Sequence, residues 1–137
     1  MEEVIHARGH ENVSATHAST FEVTTDDYLT PAGDCILAVE ADRAPADFDP
    51  AFVAACRDRE AEITVTVEAG GRSQSVVGRG DPDLTFESER SAVGRTSDYV
   101  DDRTVVLECD AAAEGFGREL VAALADGAEA TVTLSVE

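Results

Sequence analysis

Two histidines stand close together near the start of the chain, His10 and His17 in the string GHENVSATHASTFEVT. An imidazole changes charge near neutral pH and can pass a proton either way, so this pair is the first place to look for general acid or base chemistry. Further on, Asp34 and Cys35 offer a carboxylate and a thiol. Arg79, Arg95 and Arg103, with Ser97 beside them, offer donors that grip phosphate or carboxylate in pairs. Together these residues describe a site for a small anionic ligand, in which arginines hold the charge and His10 or His17 moves a proton. A second chemistry uses some of the same groups: His10, His17, Asp34 and Cys35 present N, O and S ligands that suit zinc or iron. Their spacing matches no metal motif. A third reading is non-catalytic, with a sheet edge or apolar patch serving a protein partner or a homodimer. The residues leave open whether the chain is an enzyme, and they specify no cofactor.

Each residue also has a plainer role. His17 shares strand parity with Ser19, Phe21 and Val23, which points it inward as a hydrogen-bonded, partly buried ring. His10 lies in a loop after Gly9, and His6 reads as an ordinary strand residue. Cys35 would pack as a small apolar side chain, and the carboxylate beside it opposes a reactive thiolate. Arg95 and Arg103 would serve as surface ion-pair partners.

Several common chemistries are absent. His10-Glu11 begins like the HExxH zinc motif, but Ser14 stands at the next ligand position. All ten basic residues are Arg, so there is no P-loop lysine and no Schiff-base lysine. GRGDPD lacks the third glycine of a dinucleotide fingerprint. No GxSxG nucleophile elbow occurs, and Cys35, Cys56 and Cys109 form no CxxC.

The composition sets the setting. The chain has 137 residues and an apolar fraction of 43%, enough for one domain with a real core. The net charge is −19. At about 1 M salt the screening length is about 3 Å, so such self-repulsion becomes tolerable. An acidic, Lys-free chain is therefore expected in a halophile's cytoplasm, with reduced thiols. No Arg-rich stripe suggests nucleic acid, and no apolar run or leader suggests a membrane or export.

The elements that must position these residues are written twice. Ile5-His6-Ala7-Arg8-Gly9 returns as Val76-Val77-Gly78-Arg79-Gly80, and Thr25-Asp26-Asp27-Tyr28-Leu29 as Thr96-Ser97-Asp98-Tyr99-Val100. Glu60 to Glu68 returns as Glu129 to Glu137. Residues 1–137 are therefore expected to form a single domain built from repeats 1–68 and 72–137, duplicated and related by a pseudo-twofold. Each half predicts a strand ending at Gly, a second strand (Thr16 to Thr24; Glu87 to Arg95) and a helical turn capped by Thr25 or Thr96. A third strand from Cys35 or Thr104, a helix and an alternating closing strand follow. Asp49-Pro50 starts the first helix and Gly127 stops the second. Ala69-Gly70-Gly71 reads as a hairpin turn between the halves. The fold expected is mainly β, an antiparallel β-sandwich with two helices; one large antiparallel sheet in an α+β arrangement is the alternative. In this frame His10 matches Asp81, His17 matches Ser88, Thr24 matches Arg95 and Cys35 matches Arg103. Polar residues present in only one half are the better functional candidates, and the two sets could meet in one composite cleft.

The strings GHENVSATHASTFEVT, LTPAGDCILAVEAD and GRTSDYVDDRTVVL resemble an archaeal family catalogued as domain of unknown function 371, over nearly the whole chain. The resemblance implies a small, single-domain protein with a jelly-roll-like, mainly β fold. It implies no activity. It adds Asn12 and Thr20 to the candidates, beside His10, His17, Asp34, Cys35, Arg79, Arg95, Ser97 and Arg103. Many members carry a histidine near the position of Ser88, and its absence here weakens any scheme that needs three.

Overall fold

The computed structural model describes residues 1–137. Strands β1 (Glu2–Arg8), β2 (Thr20–Thr24) and β3 (Ile36–Ala38) are followed by helix α1 (Pro50–Cys56) and strand β4 (Glu62–Ala69). The same order then returns as β5 (Arg72–Arg79), β6 (Ser91–Arg95), β7 (Thr104–Val106), α2 (Arg118–Ala125) and β8 (Glu129–Val136). A one-turn 3-10 helix precedes each α-helix, at Pro45–Asp47 and Ala113–Gly115. Two four-stranded sheets face each other, ordered β1-β8-β4-β5 and β3-β2-β6-β7. The fold is a mainly β sandwich, as the patterning predicts.

Local chemistry explains most elements. Ile63, Val65 and Val67 of β4 and Ala130, Val132, Leu134 and Val136 of β8 are buried, while their alternate neighbours reach solvent. The β4–β5 turn places both Gly70 and Gly71 at positive φ (57° and 76°), the hand a two-residue hairpin requires. Pro50 opens α1, and the Asp49 carboxylate accepts the Ala51 N–H at 2.8 Å. Leu120, Val121 and Leu124 bury one face of α2, and Gly127 at φ 83° ends it.

Three expectations need correction. The inner pairs are antiparallel, but β3 runs parallel to β2 and β7 parallel to β6, so the second sheet is mixed. The second strand of each half begins only at Thr20 or Ser91. Between His17 and Thr20 the chain turns, with His17 Nδ1 accepting the N–H groups of Ser19 and Thr20, so strand parity does not reach back to His17. Thr25 and Thr96 cap no helix. Their N–H groups donate to Arg90 O (2.8 Å) and Ser19 O (3.0 Å), which extends the β2–β6 ladder and leaves the backbone no freedom to coil.

The outer strands of the first sheet are covered. His6 N–H donates to Asp42 Oδ1 (2.9 Å) and Arg43 Nη1 to Val4 O (3.1 Å) along β1; Val77 N–H donates to Asp110 Oδ1 (3.0 Å) along β5. Those edges therefore offer little to an added strand. No helix is long and apolar enough to cross a membrane.

Candidate functional site

The two candidate histidines hold backbone. His10 Nδ1 accepts the Asn12 N–H at 3.0 Å; in the second half Asp81 Oδ1 accepts the Asp83 N–H at 2.9 Å. His17 Nδ1 accepts the N–H of Thr20 (3.1 Å) and of Ser19 (3.3 Å), and lies 3.0 Å from the Thr20 hydroxyl. Ser88 Oγ accepts the N–H of Ser91 (3.1 Å) and of Arg90 (3.2 Å) in the same way. Each ring nitrogen thus does what a carboxylate or hydroxyl does at the matching turn. These bonds assign the ring proton to Nε2 in both histidines.

The rings belong to different surroundings. His10 lies by the end of α2, with Arg8, Glu40 and Asp126. His17 lies at the entry to β2, where its N–H and that of Thr16 donate to the Asp34 carbonyl. Asn12 Nδ2 donates to Leu29 O at 2.7 Å and so fastens a loop. Arg79 pairs with Asp81 (3.0 Å) and Glu108 (2.7 Å), and these bonds raise its pKa. Ser97 is exposed and accepts the Tyr99 N–H at 3.3 Å. No three His, Cys, Asp or Glu side chains are grouped to hold a metal ion, so His10, His17, Asp34 and Cys35 do not form one ligand set.

Four candidates converge on the outer face of the second sheet. Phe21 and Gly94 face the core, since a Cβ on Gly94 would strike the Phe21 ring. Their strand neighbours therefore face outward, with Thr20 opposite Arg95 and Glu22 opposite Val93. Arg95 is 9% exposed. Its Nε donates to Thr104 Oγ1 (2.9 Å), its Nη2 to Asp101 Oδ2 (2.9 Å), and its guanidinium lies 4.9 Å from the centre of the Tyr99 ring. Arg103 Nη2 donates to the same Asp101 Oδ2 at 3.0 Å, and its Nη1 lies 3.9 Å from Glu22 Oε1. Cys35 Sγ donates to that Glu22 oxygen at 3.7 Å.

The electrostatics are balanced and tight. Burial pushes the Asp101 carboxyl up, but bonds from the Arg103 side chain and N–H, the Thr104 hydroxyl and the Arg95 charge outweigh it and hold it at about 2. Burial and the charge of Glu22 push the Cys35 thiol up, which disfavours the reactive thiolate. Glu22, Asp101, Thr104 and Tyr99 were not candidates in the sequence. Glu22 alternates with Phe21 and Val23, which marks it as outward-facing; Asp101 is one acid among many and gives no signal before its partners are known.

The two hollows of the surface lie elsewhere. One, of about 310 Å³, is lined by His6, Arg8, Glu40 and Glu129; the other, of about 250 Å³, by Gly9, His10, Glu11 and the Ala125–Gly127 corner. Arg8 and Glu40 border both. The arginine network spreads over a sheet face with no hollow above it, and its convergent charges on Asp101 mark the candidate site.

Residues 5–137 match the family model described as a domain of unknown function (DUF371). An uncharacterised protein of the archaeon Methanocaldococcus jannaschii is 39% identical over 129 residues, covering 94% of this chain and 95% of that protein. The chain belongs to the DUF371 family.

Proposed function

We propose that the chain binds a small anionic ligand, a carboxylate or phosphate, on the outer face of the β3-β2-β6-β7 sheet. One observation carries this reading: two guanidiniums, from Arg95 and Arg103, converge on the single oxygen Asp101 Oδ2. Arg95 is fixed under Tyr99, and Arg103 is 45% exposed with its Nη1 only loosely answered by Glu22. A ligand anion would take Arg103 in place of Glu22. Thr20 and the Tyr99 ring border the seat. Binding is favoured over catalysis, because the His17 Nδ1 is committed to backbone and Cys35 stays a thiol. His10, Asn12 and Arg79 are proposed as structural, and a resident metal has no ligand set to support it.

The matched turns and contacts of the two halves support an origin by duplication of one unit, with the ligand face arising where the copies differ. The acidic, Lys-free surface supports life in a salt-rich cytoplasm. The test is a titration of the protein with inorganic phosphate and with acetate, followed by amide NMR on β2 and β6. Saturable shifts that Arg103→Ala removes are expected. Shifts that stay linear, or survive that variant, would sink the reading.

A further inference from the structure

The chain has two tyrosines, and apart from Met1 they are its exposed large apolar side chains, Tyr28 at 58% and Tyr99 at 61%. The other aromatic rings, Phe21, Phe48, Phe52, Phe86 and Phe116, are all buried. Tyr99 is held in place. Ser97 O accepts the Glu108 N–H (3.0 Å) and Ser97 Oγ the Tyr99 N–H (3.3 Å), which fixes the turn that carries the ring. The Arg95 guanidinium backs the ring 4.9 Å from its centre. A ring backed on one side and wet on the other is a stacking platform for a flat partner. The neighbouring guanidiniums also keep donors free. Arg95 uses Nε on Thr104 and Nη2 on Asp101, and Arg103 uses Nε and Nη2 on Asp101. Neither Nη1 makes a hydrogen bond within the protein, that of Arg103 lying 3.9 Å from Glu22 Oε1. No buried side-chain nitrogen or oxygen of the chain lacks a partner, so Arg95 Nη1 reaches solvent although the rest of Arg95 is buried. The internal repeat supplies the contrast. Tyr28 stands where Tyr99 does, but Thr24 replaces Arg95, Gly33 replaces Asp101 and Cys35 replaces Arg103. The ring is present twice and the anion donors once.

We infer that the anion taken by the arginine face belongs to a nucleoside monophosphate, with its phosphate on Arg95 Nη1 and Arg103 Nη1 and its base stacked on Tyr99. Such a ligand rests on the anion-binding reading of that face and gives it a chemical class. A phosphate presents three terminal oxygens and can meet two guanidiniums at once, whereas one carboxylate is matched by a single guanidinium fork. The face has no hollow to enclose a ligand, so a bare anion gains little there. A stacked base supplies the missing contact and tightens binding about tenfold. A longer nucleic acid is disfavoured, because the net charge of −19 repels each further phosphate.

The test is a titration of the full chain with adenosine monophosphate at constant ionic strength, read from the amides of Tyr99, Asp101 and Arg103. Ribose 5-phosphate, adenosine and benzoate are titrated beside it. Saturable shifts with the nucleotide are expected, with a Kd at least about tenfold below that of ribose 5-phosphate. Tyr99→Leu should erase that gap while changing ribose 5-phosphate binding by less than about twofold. Tyr28→Leu should leave both affinities unchanged. Equal affinity for the nucleotide and ribose 5-phosphate, or a gap that survives Tyr99→Leu, would overturn the stacked base and leave the anion seat standing. Adenosine binding as tightly as the nucleotide would overturn the phosphate contact, and benzoate binding as tightly would give the seat to a carboxylate and overturn the nucleotide. No saturation with either phosphate would overturn the anion seat and this ligand together.

Discussion

Asp101 is the point on which the arginine face can be tested hardest. Asp101→Asn keeps the side-chain shape and removes the charge that Arg95 and Arg103 share. The carboxyl stands at about 2 in the folded chain against an ordinary 3.8. That gap corresponds to about 2 kcal/mol of folding stability at neutral pH. The side chain is 22% exposed, so solvent screening removes little of it. The sign follows from the depressed value: the contribution is complete above 3.8 and is lost as pH falls toward 2, with about half remaining near pH 3. Urea unfolding at constant ionic strength should show Asp101→Asn less stable by about 2 kcal/mol at pH 7, with the difference shrinking to about 1 kcal/mol near pH 3. A difference below about 0.5 kcal/mol at pH 7, the scale of an ordinary surface pair, would refute the network. A difference that stays constant with pH would show that lost shape, not lost charge, is responsible.

Other expectations concern the turns, the packing and the thiols. His17→Ser should keep most of the stability, since Ser88 does the same work, whereas His17→Ala should lose about 1 kcal/mol; equal loss in both by thermal denaturation would contradict the capping role. Gly80→Ala forces a methyl against the Cys56 carbonyl and should cost about 3 kcal/mol or more, seen as a fall in the urea midpoint. Asn12→Ala removes the 2.7 Å bond to Leu29 O and should cost about 1 kcal/mol, and an unchanged Tm would deny the loop its anchor. Burial pushes Cys56 and Cys109 to about 12, so at pH 8 a thiol reagent should label neither without denaturant and Cys35 only slowly. Rapid labelling of all three would mean the core is open.

Much of the scaffold was legible because its signals are local. Alternation along β4 and β8 needs only the next residue but one, and Asp49-Pro50, Gly70-Gly71 and Gly127 act through their own backbone angles. The parallel run of β3 and β7 was not legible, since strand direction depends on where the chain returns after residues 25–35 and 96–103. The helical turn at Thr25 failed for a similar reason: its N–H is taken by Arg90 O, a partner far along the chain.

The sequence by itself determined a mainly β chain with two helices, an acidic surface, and candidate groups in matched and unmatched positions. Only the tertiary structure decided what those groups do. It put His10 and His17 on backbone N–H groups, tied Arg79 to Asp81 and Glu108, and gathered Thr20, Cys35, Arg95 and Arg103 around Glu22 and Asp101. The physical reason is range. Backbone propensity and burial pattern act over a few residues, whereas an ion pair or a hollow depends on groups brought within a few ångströms by the packing of distant strands.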